Sequence, residues 1–243
     1  MNKTKKKTLL YGLLISAGVH ILLYFLYYVP NYVYANNVFF YITYFSSLFI
    51  ESTLPLASAT LLFACFSTRG RIPFGASAII ALPRILYFLP YSYLESFYAG
   101  NDTPSALLLA LFSTVLYTLF FYGEIILTYF VISFIIGKLS SSKRKPDFNL
   151  RVALLEKNPF DFSSPTVIAF FAAASVRFVY NLITEIYDTV VFLVNFSATF
   201  SIGEIIYMVG SYLFILATLL LSHLIAFKIK RGVYLYTKEE CRE

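Results

Sequence analysis

Apolar residues in this chain run in long unbroken blocks instead of alternating with polar ones. Six stretches, from Leu9 to Val29, Tyr44 to Phe66, Phe74 to Phe97, Ser105 to Gly137, Thr166 to Val191 and Glu204 to Phe227, are long enough to cross a bilayer. A helix rises ~1.5 Å per residue, so a ~30 Å hydrocarbon core takes about 20 apolar residues. Strands of a membrane barrel would alternate in polarity over about ten residues, whereas these blocks are apolar on every side. The pattern predicts an all-α, polytopic integral membrane protein of about six transmembrane helices.

Composition closes off the other classes. Of the 243 residues 59% are hydrophobic and only 13% are charged, against about 25% charged in an ordinary soluble domain. That is too little charge to cover a water-soluble globule, and too much apolar surface for a disordered chain. The net charge of +6 does not point to nucleic acid, because the basic residues form no stripe.

Those basic residues instead set an orientation. Of the 19 lysines and arginines, 17 lie in four places: Lys3 to Lys7, Arg69 and Arg71, Lys138 to Lys157, and Lys228 to Arg242. The connections around 31–37, 99–104 and 196–203 carry none. Lysine and arginine are retained on the cytoplasmic side, so both termini are expected there. The expected division is a basic N-terminus (1–8), spans one to four (9–137), a basic loop (138–165), spans five and six (166–227) and a cytoplasmic tail (228–243). The basic segments are expected to meet anionic lipid headgroups. Within the loop, Asn149 to Lys157 reads as a short surface helix capped by Asn149 and stopped by Pro159. The first apolar run, at 21 residues, exceeds the ~7 to 15 of a signal peptide, which favours an uncleaved first span. A bacterial plasma membrane is the expected setting.

The charges retained inside spans are the candidate chemistry, since each costs roughly 2.5 to 3.5 kcal/mol at the bilayer centre. They are Glu51 in span two, Arg84 in span three, Glu124 in span four, and Arg177, Glu185 and Asp188 in span five, with His20 and His223 in spans one and six. Counting residues from the basic anchors puts His20, Arg84, Glu124 and Arg177 near the midplane. Glu51 and Glu185 fall further out, toward an entrance. Arg177, Asn181, Glu185 and Asp188 share one helical face. Arg177 and Glu185 are about 12 Å apart along the axis, so Arg177 needs a partner on another helix, and Glu124 at matching depth is the expected one.

Span three repeats the design, with Arg84, Tyr87, Tyr91 and Glu95 on one face. Pro83 and Pro90 interrupt its hydrogen-bond ladder, and Pro90 is expected to kink it. The series Arg84, Tyr87, Leu89, Glu95, Ser96 recurs at the same spacing as Arg177, Tyr180, Leu182, Asp188, Thr189. Tyrosines near the outer ends of spans one to three, among them Tyr24, Tyr87, Tyr91 and Tyr98, suit either an interfacial belt or an aromatic vestibule. Small residues at Ser77, Ala81, Ala169 and Ala173 suit close helix contacts.

The candidate ligand-binding or ion-coupling residues are therefore Glu51, Arg84, Glu124, Arg177, Asn181, Glu185, Asp188 and His20. Their plainer role is as interhelical pairs that fix packing, and His20 alone suits a packed polar residue better than a ligand. No soluble-type catalytic motif occurs, so no enzyme activity, cofactor or metal is expected, with an intramembrane enzyme using Glu or His and a metal as the alternative. The expected function is transport: a small carrier or a substrate-binding membrane subunit with a polar site between spans two and five. Its expected partners are the bilayer, a small polar or cationic ligand, and a partner membrane subunit, with no nucleic acid. The alternative is a membrane scaffold or assembly subunit.

Overall fold

The computed structural model describes residues 3–32, 37–66, 73–140, 154–195 and 202–239. Among the described residues seven helices follow one another: α1 (Lys3–Tyr32), α2 (Asn37–Phe66), α3 (Phe74–Ala81), α4 (Arg84–Tyr98), α5 (Thr103–Ser140), α6 (Pro165–Asn195) and α7 (Ile202–Glu239). No strand occurs among the described residues. Among the described residues five helices are long and apolar enough to cross a membrane, and a sixth span results when α3 and α4 count as one bent element. Their outer faces suit lipid: Leu108, Phe112 and Phe120 of α5 are 60 to 70% exposed and entirely hydrocarbon.

The third expected span is broken at Pro83, one of the two prolines expected to interrupt it, and not at Pro90, where the kink was expected. α3 and α4 meet at 43° across Leu82 and Pro83, while Pro90 sits inside α4. Pro83 has no N–H for the carbonyl one turn back, and its ring crowds that turn. The chain responds with tighter three-residue bonds, from Ile85 N–H to the Leu82 carbonyl (3.1 Å) and from Leu86 N–H to the Pro83 carbonyl (3.0 Å). Pro83 is also well suited to start a helix, because φ is already set and the first donors are unused anyway.

At its far end α4 stops at Gly100, whose φ of +93° lies in the left-handed region open mainly to glycine. The reversal lets Asn101 N–H reach the Ser96 carbonyl at 3.4 Å, and the Asn101 side-chain amide donates to the same carbonyl at 3.0 Å. α5 then runs back against α4.

α2 is the centre of the bundle. It contacts α1, α3, α5, α6 and α7, and its spanning part is the most enclosed of all. Gly12 of α1 lets that helix approach, since a β-carbon there would stand 3.1 Å from Leu61. The core joins Leu62 and Phe63 of α2, Ile125 and Ile132 of α5, and Ala169, Phe170 and Ala173 of α6. Ser77, Ala81, Ala169 and Ala173, expected at close contacts, are all buried.

α7 departs from expectation by continuing as helix from Phe227 to Glu239. The extra turns carry Lys230 into the protein, where it is fully buried with Nζ 3.4 Å from the centre of the Phe227 ring. Residues 141–153, which include the start of the expected surface helix, lie outside the described residues. The end of that loop packs inward, with Leu154 buried. It is held by His223, whose Nε2 donates to the Pro159 carbonyl at 2.6 Å.

Candidate functional site

Four of the intramembrane charges converge on one cavity of about 860 Å³ between α2, α4, α5 and α6. α4 supplies one wall from a single face: Arg84, Tyr87, Tyr91 and Glu95, the residues expected to align, all line it. α5 supplies the opposite wall with Ser113, Tyr117, Phe121 and Glu124, α2 contributes Glu51, and α6 contributes Arg177 and Tyr180. The cavity extends along α4 past Ser96 to Ala99, beside the Gly100 turn.

The charges are arranged as two ion pairs. Arg177 of α6 donates from Nη1 to Glu124 Oε1 of α5, as its depth in the sequence predicted. Arg84 Nη2 of α4 lies 3.1 Å from Glu51 Oε1 of α2. Glu51 was expected at the entrance, yet it closes on Arg84. The reason is the bend at Pro83, which invalidates a depth count that treats span three as straight, and the long reach of both side chains. The pairs also sense each other, because Glu124 interacts electrostatically with Arg177 first, then with Arg84 and Glu51.

The two arginines are held alike. Arg84 lies over Tyr87 at 5.3 Å, and Arg177 lies over Tyr180 at 4.8 Å, in each case a ring three residues further on. Each also pairs with a glutamate on the preceding full-length apolar span. The spacing match noted in the sequence thus has a common geometry. Arg84 is the more tightly held, with Phe88 and Phe121 at 5.2 and 5.3 Å as further cation–π contacts. Its pair is also the deeper one: Arg84 and Glu51 are 12% and 17% exposed, Arg177 and Glu124 25% and 37%. The outer part of the cavity is aromatic, with Tyr117 stacked on Phe88 at 4.2 Å and Tyr91 stacked on Tyr87 at 5.9 Å.

The remaining candidates fall elsewhere. Asn181 turns away from the cavity and donates to Ser52 Oγ of α2 at 2.9 Å. It lines a separate void of 20 Å³ together with Arg177, Thr128, Thr218 and Ser222, enough for a single water, which needs roughly 10 to 15 Å³. Pro55 borders the same void and cannot donate to the Glu51 carbonyl one turn back. Glu185 is half-buried and lines neither space. The side chain of Asp188 lies outside the described residues. His20 is fully buried behind the cavity wall, its Nδ1–H donating to the Ser16 carbonyl at 2.7 Å and its ring centre 5.5 Å from that of Phe121, edge to face. The sequence set missed Glu95 as a site residue, although its position on the Arg84 face was readable. It also missed Tyr117 and Ser113, which carry no signal because α5 has no polar face.

No group of three or more histidine, cysteine or carboxylate side chains able to hold a metal occurs among the described residues. No known protein family matches the sequence, and no curated protein or solved structure matches it either. The site must therefore be read from its own chemistry.

Proposed function

We propose that this chain is a membrane protein of transport type, a small carrier or a substrate-binding membrane subunit, whose ligand occupies the cavity between α2, α4, α5 and α6. One observation carries the reading: two ion pairs from four helices line the same 860 Å³ space. Pairs that served packing alone would be expected against hydrocarbon side chains, with no room between them. A cavity of roughly 300 to 1,000 Å³ with an aromatic lining and a few convergent polar groups is the usual form of a small-molecule site.

Orientation follows the basic residues. With Lys6, Lys138 and the C-terminal end of α7 on the cytoplasmic side, the Gly100 turn faces the opposite side and the cavity extends toward it. The bent α3–α4 element suits a ligand site, because interrupted helices within membranes occur where they line protein cavities.

A scaffold role has one observation in its favour: Asn181 to Ser52 (2.9 Å) and Thr53 to Ser222 (2.7 Å) tie α2 to α6 and α7 with polar contacts that have no need of a ligand. A thermal-shift screen of the purified protein against amino acids, vitamins and inorganic ions separates the two. A stabilising compound whose effect is lost in Arg177→Gln supports the carrier. No stabilising compound, together with unfolding of every charge variant, supports the scaffold.

A further inference from the structure

The exposure and anchoring of the two pairs divide the cavity into a fixed end and an available end. Arg84 is enclosed by Glu51 and three aromatic rings. Exchanging its partner would break several contacts at once. Arg177 and Glu124 have more open surface, and Arg177 lies over the Tyr180 ring. A ligand entering along α4 therefore meets the Arg177–Glu124 pair as the replaceable one.

Charge balance then restricts what can replace it. A ligand with one carboxylate that engages Arg177 strips Glu124 of its partner, and the abandoned carboxylate remains half-buried in a site that also holds Glu51. A ligand with one ammonium on Glu124 strands Arg177 in the same way. Even in a half-buried pair, removing one partner costs more than exchanging both, although solvent lowers the difference. Only a ligand carrying both charges close together leaves neither half of this pair unmatched, its carboxylate on Arg177 and its ammonium on Glu124. The rest of the ligand would lie against Tyr91, Tyr117 and Tyr180, flat faces that also line the space and favour stacking with a planar or apolar body.

We infer that the cavity selects a small zwitterion with an aromatic or apolar body, which binds by opening the Arg177–Glu124 ion pair and taking both of its halves. The inference rests on the carrier reading given above and specifies its ligand class. It distinguishes the two pairs by role, Arg84–Glu51 fixing the cavity wall and Arg177–Glu124 exchanging with the ligand.

Three probes with the same ring test it: phenylalanine as the zwitterion, phenethylamine as the cation and 3-phenylpropionate as the anion. The full chain in detergent or nanodiscs is melted in millimolar amounts of each. Phenylalanine is expected to raise the melting temperature by roughly 5 °C when about 100-fold above its Kd, and the other two by clearly less. Glu124→Gln leaves Arg177 without a carboxylate, so 3-phenylpropionate should become the preferred probe, at least about tenfold over phenylalanine. Arg177→Gln should shift preference equally far toward phenethylamine. These opposite shifts remain readable if one variant folds poorly.

A wild-type protein stabilised as well by either singly charged probe overturns the zwitterion inference while leaving the carrier reading intact, since the cavity would still have bound. Absence of any shift from all three also overturns it. The carrier reading is then judged separately by whether a cysteine at Ser96 reacts from water.

Discussion

Arg84 of α4 meets Glu51 of α2 at 3.1 Å with both side chains mostly buried, while the neighbouring Arg177–Glu124 pair keeps a quarter or more of its surface open. Two ion pairs of the same chemistry on one cavity thus have different energetics. Burial raises the cost of leaving either charge alone, and solvent lowers it.

Arg84→Gln or Glu51→Gln is accordingly expected to destabilise strongly, on the order of 3 to 5 kcal/mol, because each leaves an uncompensated buried charge. The double variant should recover much of that loss. A double-mutant cycle on thermal or denaturant unfolding measures the coupling, and strict additivity would show that the pair contributes nothing specific.

The same cycle at Arg177 and Glu124 should give a smaller coupling, roughly half as large, since water already screens both groups. Its value should fall further as salt is raised, and the Arg84–Glu51 value should hardly change. Equal salt sensitivity at both pairs would contradict the assigned depths.

Water should reach the cavity but not the lipid face of α5. In a background with Cys65 and Cys241 replaced, a cysteine at Ser96 is expected to react with a membrane-impermeant maleimide. One at Leu108, 70% exposed on the apolar exterior, should not. Equal reactivity at both sites would mean that the bundle does not lie in a bilayer as described.

Topology has its own check. Cysteines at Asp102 and Ser141 should label from opposite sides of sealed vesicles, because α5 separates them. Labelling from one side would remove the orientation assigned from the basic residues.

His223→Leu should loosen the segment from Leu154 to Ser164, which the imidazole holds through the Pro159 carbonyl at 2.6 Å. Faster protease cleavage within 154–164, with the rest of the bundle unchanged, is the expected result. The free carbonyl and lost donor make a cost of roughly 1 to 3 kcal/mol reasonable.

How much of this was legible depends on the kind of signal. The spans were readable because hydrocarbon thickness dictates their length, and the Arg177–Glu124 pair because residue counts along two straight helices give depth. The Arg84–Glu51 pair was not, since a 43° bend at Pro83 has no counterpart in a linear count. Asn181 shared a face with Arg177 as periodicity required, but one helical turn was enough to turn it from α5 toward α2. Lys230 looked like a solvated tail residue. Only the continuation of α7 and the packing of Phe170 and Phe227 against it place an ammonium in the interior. Apart from Glu124 the α5 wall was silent, because a helix this evenly apolar does not encode which face its neighbour covers.

The two pairs have an electrical consequence. A single charge moved through the full membrane potential exchanges about 2.3 kcal/mol per 100 mV, which makes most charged sites sensitive to voltage. Here the two arginines and two glutamates of the ion pairs sum to zero, while Glu95 lines the same space outside the pairs. Any rearrangement that carries all four together toward either face of the bilayer transfers no net charge. A neutral dipole bound among them adds none, so its binding and release should be the same in polarised and depolarised vesicles.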